Sequence, residues 1–161
     1  MSGLPALERA FQTARVWLKE VAAELQWKDE RRVYAALRTV LHALRDRLTL
    51  AESVQFGAQL PTFVRGLYYE GWRPGVSTMR GRTKEVFLEE IRETFFETRM
   101  PKVDPEFVAK AIFRFLDDKI SEGELSDVRG QLPKGIRALW PGPAPVILPA
   151  NIAGGRKRAT A

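Results

Sequence analysis

The chain has no cysteine and a single histidine among its 161 residues. The absence of cysteine excludes disulfide bonds and thiolate metal sites. No apolar stretch approaches the roughly 20 residues that a helix needs to cross a bilayer. Charged residues interrupt the N-terminal segment, which therefore lacks the pattern of a signal peptide. We expect a cytoplasmic protein that has no membrane span and needs no metal or cofactor.

The sequence also has few candidates for catalysis. His42 lies in the middle of a predicted helix, and a lone histidine without a paired nucleophile or a second ligand makes a poor base or metal site. The adjacent carboxylates at 89–90 and 117–118 point about 100° apart on a helix, so they do not converge. These observations predict a protein that is not an enzyme.

A repeat is the strongest positive signal. Positions separated by 72 residues carry related side chains from Arg38 to Tyr68, and a period of this length indicates one structural unit used twice. Eight residues are identical to the residue 72 positions later: Leu44, Asp46, Glu52, Gln59, Leu60, Pro61, Arg65 and Leu67. The predicted segments are unit one at 14–72, a basic linker at 73–83, unit two at 84–141 and a Pro/Gly-rich basic tail at 142–161.

Apolar residues within each unit recur at the spacing of one helix face, as in the stripe from Val33 through Leu37 to Leu44. No segment alternates with a period of two, so we predict no strands. The pattern predicts an all-α fold: a tandem duplication of a roughly four-helix unit packed into one helical domain, with an extended C-terminal tail. A unit of this size buries too little surface alone, so the copies should pack on each other.

Capping residues mark the predicted helix starts. Asp104 is placed as an N-cap before a proline at the first helical position, and Thr83 as the cap of the preceding helix. Residues 49–52 and 121–124 have the form of capping boxes, in which the hydroxyl accepts from the third backbone N–H and the glutamate reaches back.

The two units also share one acid and one arginine at equivalent positions. Either these residues form ion pairs, Asp46 to Arg65 and Asp118 to Arg137, or they are independent surface charges.

Three strings, at residues 41–48, 58–61 and 65–72, resemble the bacterial family catalogued as domain of unknown function 2267. The resemblance covers about residues 14–141. It implies a helical protein with a doubled core, and it implies no established activity.

The net charge is +6, and the excess lies in the linker and the tail. Aromatic side chains beside arginines can stack nucleobases or form a partner pocket; alternatively, Tyr68 and Trp72 close the end of unit one. The candidate contacts to a partner or to nucleic acid are Tyr69, Trp72, Arg73, Arg80, Arg82, Lys84, Arg156, Lys157 and Arg158.

Three classes of function remain. The first is a non-enzymatic helical module that binds a protein partner or its own second copy. The alternative is a nucleic-acid-binding accessory protein that uses the basic linker and the tail. The third is an enzyme of unrecognised type, which is disfavoured because no nucleophilic side chain is paired with a general base.

Overall fold

A computed structural model describes residues 3–75 and 81–140 of the chain. Within those residues its regular secondary structure is entirely helical, so the predicted all-α class is confirmed. The helices are α1 (Pro5–Leu25), α2 (Glu30–Arg45), α3 (Leu50–Ala58), α4 (Thr62–Tyr69), α5 (Lys84–Glu97), α6 (Pro105–Lys119), α7 (Glu122–Gln131) and α8 (Lys134–Arg137). The predicted C-terminal tail lies outside the described residues.

The predicted helix starts are confirmed at four positions. The side chains of Thr49, Thr83, Asp104 and Ser121 each accept a hydrogen bond from a backbone N–H in the first turn of the next helix, at 3.0 to 3.4 Å. Such a cap contributes about 1 kcal/mol by giving a partner to an N–H that the helix itself leaves unsatisfied.

The predicted contact from Glu52 back to the backbone N–H of Thr49, the second half of the first capping box, is wrong. The N–H of Thr49 does not go to Glu52; it donates to Oε1 of Gln131, on α7, at 3.1 Å. The Thr49 hydroxyl also donates to that oxygen at 3.0 Å. The reason is tertiary, because Glu52 is 5% exposed and its carboxyl faces α7. A side chain from the second half of the chain therefore caps α3.

Of the two alternatives for the shared acids and arginines, the ion pairs are wrong as well. Arg65 donates to the carbonyl oxygens of Gly57, Ala58 and Leu60 at the end of α3, and Arg137 donates to the carbonyl oxygen of Leu132 at the end of α7. The last carbonyls of a helix lack partners and carry partial negative charge, so they attract a guanidinium as an acid would. Both arginines make the same kind of contact, as a repeat requires, but the duplication itself stays a prediction.

The two halves of the chain interleave. Helix α1 packs on α6 as well as on α2, and α2 packs on α5. Helix α3 meets α7 near the junction of the halves. The buried apolar side chains form one continuous cluster that draws on both halves, with Leu44 and Leu116 fully enclosed. The halves thus share a single hydrophobic core, as expected for units too small to fold alone.

Candidate functional site

The structure places the predicted contact residues in two separate regions. Tyr69 and Trp72 lie together, with ring centroids 5.4 Å apart. The Tyr69 hydroxyl donates to the carbonyl oxygen of Val54 at 3.3 Å, and a Cβ at Gly57 would overlap that hydroxyl. This pair therefore belongs to the contact between α4 and α3. Tyr68, beside it, is fully buried, which agrees with the interpretation that these aromatics close the end of unit one.

Two basic residues at the end of the linker and just after it, Arg82 and Lys84, contact the second half of the chain. Arg82 donates to the carbonyl oxygen of Gln131 at 3.2 Å, and Lys84 lies 3.0 Å from a carboxyl oxygen of Glu106. Hydrogen bonds from Lys84 and then Lys110 lower the pKa of Glu106. Arg73 is described and makes contacts of its own. The predicted contacts at Arg80, Arg156, Lys157 and Arg158 lie outside the described residues.

His42 lines a polar cleft of about 270 Å³ between α2 and α5. Its Nε2 is 2.8 Å from the carbonyl oxygen of Leu67 and donates to it. Burial lowers the pKa of His42, and the charges of Arg45 and Arg38 lower it further. The imidazole is therefore neutral at neutral pH and holds α4 against α2. His42 therefore lies at the edge of the core with its ring hydrogen-bonded inside the protein.

Arg45, the main cation of the cleft, is bonded to other groups of the protein. Arg45 donates through Nε to Asp46 at 2.9 Å, and through Nη1 to the carbonyl oxygens of Tyr68 and Glu70 at 2.8 and 3.0 Å. These contacts cap the end of α4. The cleft thus combines charged side chains with one neutral imidazole.

A pair of glutamates meets where α3 contacts α7. Glu52 and Glu124 occupy equivalent positions in the predicted repeat, and each has a buried Oε1 that accepts no hydrogen bond from another group within the described residues. Two ionised carboxylates have no hydrogen to share, whereas protonation of one lets it donate to the other. Burial raises the pKa of Glu52 to about 7, assisted by the hydrogen bond and charge of Glu124 and by the charge of Asp127.

This pair predicts a specific pH dependence of stability. The ordinary pKa of glutamate is near 4.5 and that of folded Glu52 is about 7, so between these values the folded chain holds more protons than the unfolded chain. The free energy of unfolding must fall as pH rises through that window. The free energy of unfolding of the wild type should fall between about pH 5 and pH 8. In Glu52→Gln we expect this fall to be smaller by about 1–3 kcal/mol.

Chemical denaturation at several pH values measures this difference. Glu93→Gln is the matched control, because Glu93 is an exposed glutamate on α5, and this variant should keep the wild-type slope. An unchanged slope in Glu52→Gln would show that the two carboxyls do not share a proton.

The most unusual surface lies on the first half of α1. Leu7 and Phe11 are 57% and 62% exposed. They lie on the same face as Ala14, Leu18 and Val21, which pack into the molecule farther along the helix. The face that forms the core therefore continues past the body of the protein into solvent. We call the exposed part, Leu7 and Phe11, the α1 stripe.

Sequence reasoning missed both the stripe and the glutamate pair. The stripe had a signal in the sequence, because apolar residues recur at spacings of four and three residues from Leu7 to Leu25, but the first predicted unit begins only at residue 14. For the pair, the identity of Glu52 and Glu124 was visible in the repeat. Their proximity depends on how α3 and α7 pack.

These features define an all-α domain with one shared core, a cleft lined by polar and charged side chains, and an exposed apolar stripe. None of the helices within residues 3–75 and 81–140 is long and apolar enough to cross a membrane. Those residues also contain no cluster of three or more metal-binding side chains.

The chain belongs to the family described as "Uncharacterized conserved protein (DUF2267)", whose model matches residues 14–139, so the resemblance noted in the sequence is confirmed. No curated protein matches the chain. The α1 stripe lies ahead of the matched residues.

Proposed function

We propose that the protein is a non-enzymatic interaction module that binds a helical partner along the α1 stripe. The observation that supports this most directly is the exposure of Leu7 and Phe11 on a face whose continuation forms the core. Full burial of a leucine or phenylalanine side chain contributes about 1.5–3 kcal/mol. More than half of each side chain is exposed here, so a partner that covers both gains on the order of 2 kcal/mol.

The helical state of the stripe adds to this gain. Helix α1 runs from Pro5 to Leu25 without a break, and its second half is anchored on α6 and α2. The stripe is therefore presented on a helix that is already formed, and a partner does not need to order it. Pre-organisation of this kind raises affinity by reducing the entropy lost on binding.

Two further observations favour a binding role over catalysis. The ring of His42 is engaged with the carbonyl of Leu67, and the neighbouring Arg45 is engaged with Asp46 and the end of α4. The cleft therefore offers no nucleophile beside a base, which the common covalent mechanisms require. Two residues that line it, His42 and Arg45, hold α2 and α4 together.

The test is affinity capture from lysate with three baits: wild type, Leu7→Glu with Phe11→Glu, and Phe96→Glu. Phe96 is a control because it is 72% exposed and lies on α5, far along the chain from the stripe. We expect proteins retained by the wild type and the control to be lost from the double variant, with all three baits melting at similar temperatures. Identical retention by all baits would contradict the proposal.

A nuclease arm of the same capture addresses nucleic acid. If the retained material disappears on nuclease treatment and on a moderate rise in salt, the contact is electrostatic and made to a polyanion. That result would favour the basic linker and tail over the α1 stripe.

A further inference from the structure

We propose that the contact between α3 and α7 is a proton-dependent switch. The two helices stay together while Glu52 and Glu124 share a proton, and α7 separates from α3 when that proton leaves. The lower stability expected at high pH does not say which part of the molecule responds. The burial of the two carboxyls, the bonds that hold α3 and the weaker attachment of α7 together indicate that α7 responds first.

The two carboxyls meet where solvent is scarce. Glu52 is 5% exposed, and one carboxyl oxygen of Glu52 and one of Glu124 are buried without a hydrogen bond from another group among the described residues. Two ionised carboxylates in such a place repel each other, and each lacks the solvation that an anion needs. A shared proton removes one charge and supplies the missing hydrogen bond. The closed contact therefore holds a proton that the separated carboxyls would release to water.

The charges on α7 do not relieve this repulsion. Asp127 raises the pKa of Glu52 further, in addition to burial and Glu124. The one arginine of α7, Arg129, is bonded to Asp117 on α6 and to Glu122 on its own helix.

The cations of the other elements around α3 are bonded elsewhere as well. Four arginines approach α3 or the end of α7, and each donates to a group other than the two glutamates: Arg45 to Asp46, Arg47 to Glu90, Arg65 to the carbonyls at the end of α3, and Arg82 to the carbonyl of Gln131. On α4, burial raises the pKa of Tyr68, so its hydroxyl stays neutral in the range where glutamates titrate. The proton is therefore the group that neutralises the pair.

Helix α3 is held by the first half of the chain whatever the state of the pair. The hydroxyl of Ser53 donates to the carbonyl oxygen of Arg45 at 3.2 Å, and the hydroxyl of Tyr68 donates to the carbonyl oxygen of Ser53 at 3.0 Å. The buried ring of Phe56 packs edge-on against Tyr68, with centroids 5.4 Å apart. We therefore expect α3 to remain on α2 and α4 when the contact opens.

Helix α7 has the weaker attachment. Among the described helices its main packing partner is α3, and within its 10 residues it buries two apolar side chains, Leu125 and Val128. Gln131 at its end accepts from the N–H and the hydroxyl of Thr49 at 3.1 and 3.0 Å. A short helix of this kind can open at a lower free energy than the whole protein. Opening exposes the two apolar side chains and takes Gln131 away from Thr49.

Hydrogen exchange of backbone amides in the full chain, read by NMR, measures the opening. The ordinary glutamate pKa is 4.5 and that of folded Glu52 is about 7, so opening should become about 10- to 30-fold more favourable between about pH 5.5 and pH 8. The protection of the amides of α7 and Thr49, corrected for the intrinsic exchange rate, should fall by the same factor. At about pH 8 they should be at least about tenfold less protected than those of α2 and α6, which are released by global unfolding.

Two variants replace the shared proton by an amide hydrogen that does not titrate. In Glu52→Gln and in Glu124→Gln the fall in protection should shrink to less than about threefold. Two variants are used so that a packing defect in one of them does not decide the result. Asp127→Asn removes a charge that favours the proton, so the fall should end at a lower pH. Glu93→Gln, on the exposed surface of α5, should keep the wild-type fall.

Three results would overturn the proposal. If the amides of α7 are as protected at about pH 8 as those of α2 and α6, then α7 leaves only when the whole protein unfolds. If their protection in the wild type is the same at both pH values, the pair holds no proton. If both glutamine variants show the full wild-type fall, other groups are responsible for it.

Discussion

Replacing Leu44 or Leu116 with alanine is expected to lower the free energy of unfolding by about 2–5 kcal/mol in each case. Both side chains are fully buried, on α2 and α6 respectively. These helices contact each other within the shared core. Each substitution therefore loses the apolar contacts and leaves a cavity.

Denaturant unfolding followed by circular dichroism measures the change. Leu50→Ala is the control, because Leu50 is an exposed leucine at the start of α3 and its loss should change the free energy of unfolding by less than about 0.5 kcal/mol. A change below that value in either core variant would show that α2 and α6 do not form the centre of the core.

The second large effect concerns a charge inside the protein. The side chain of Arg47 is fully buried; it donates to Glu90 on α5 and to the carbonyl oxygen of Ala43, and its guanidinium lies 5.2 Å from the centre of the Phe87 ring. An arginine cannot escape burial by losing its proton. Glu90→Ala therefore leaves a buried cation without its counter-charge, and we expect a loss of about 2–4 kcal/mol.

A double-mutant cycle isolates this interaction. Arg47→Met with Glu90→Ala removes both charges and keeps the volume near Phe87, so it should recover at least half of the loss. The control Glu89→Ala breaks a surface pair with Arg92 and should change stability by less than about 1 kcal/mol. A double variant no more stable than Glu90→Ala alone would mean that Glu90 acts through packing and not through its charge.

The sequence was sufficient where the physics is local. The caps at Thr49, Thr83, Asp104 and Ser121 each depend on a side chain and a backbone group within a few residues, so their types and positions predicted them. The all-α class followed from apolar spacing for the same reason. The burial of Tyr68 could also be anticipated, because an aromatic stands at the same place in both halves of the repeat.

The sequence was insufficient where a side chain had a choice of partners. Pairing with Asp46 was one of two alternatives for Arg65, but its side chain instead donates to three carbonyl oxygens at the end of α3. Glu52 was expected to cap its own helix, but the approach of α7 supplied Gln131 for that purpose and enclosed the glutamate. In both cases the outcome depends on the packing of short helices whose geometry the repeat does not specify.

The interleaving of the halves has a consequence for the time at which the protein can fold. Helices α1 and α2 lie in the first half of the chain, yet they pack on α6 and α5, which the ribosome makes later. At roughly 5–20 residues per second, the first half waits several seconds for the surfaces that cover it. During that interval its apolar faces are open to other nascent chains. The first half can therefore complete its folding only after the second half has emerged.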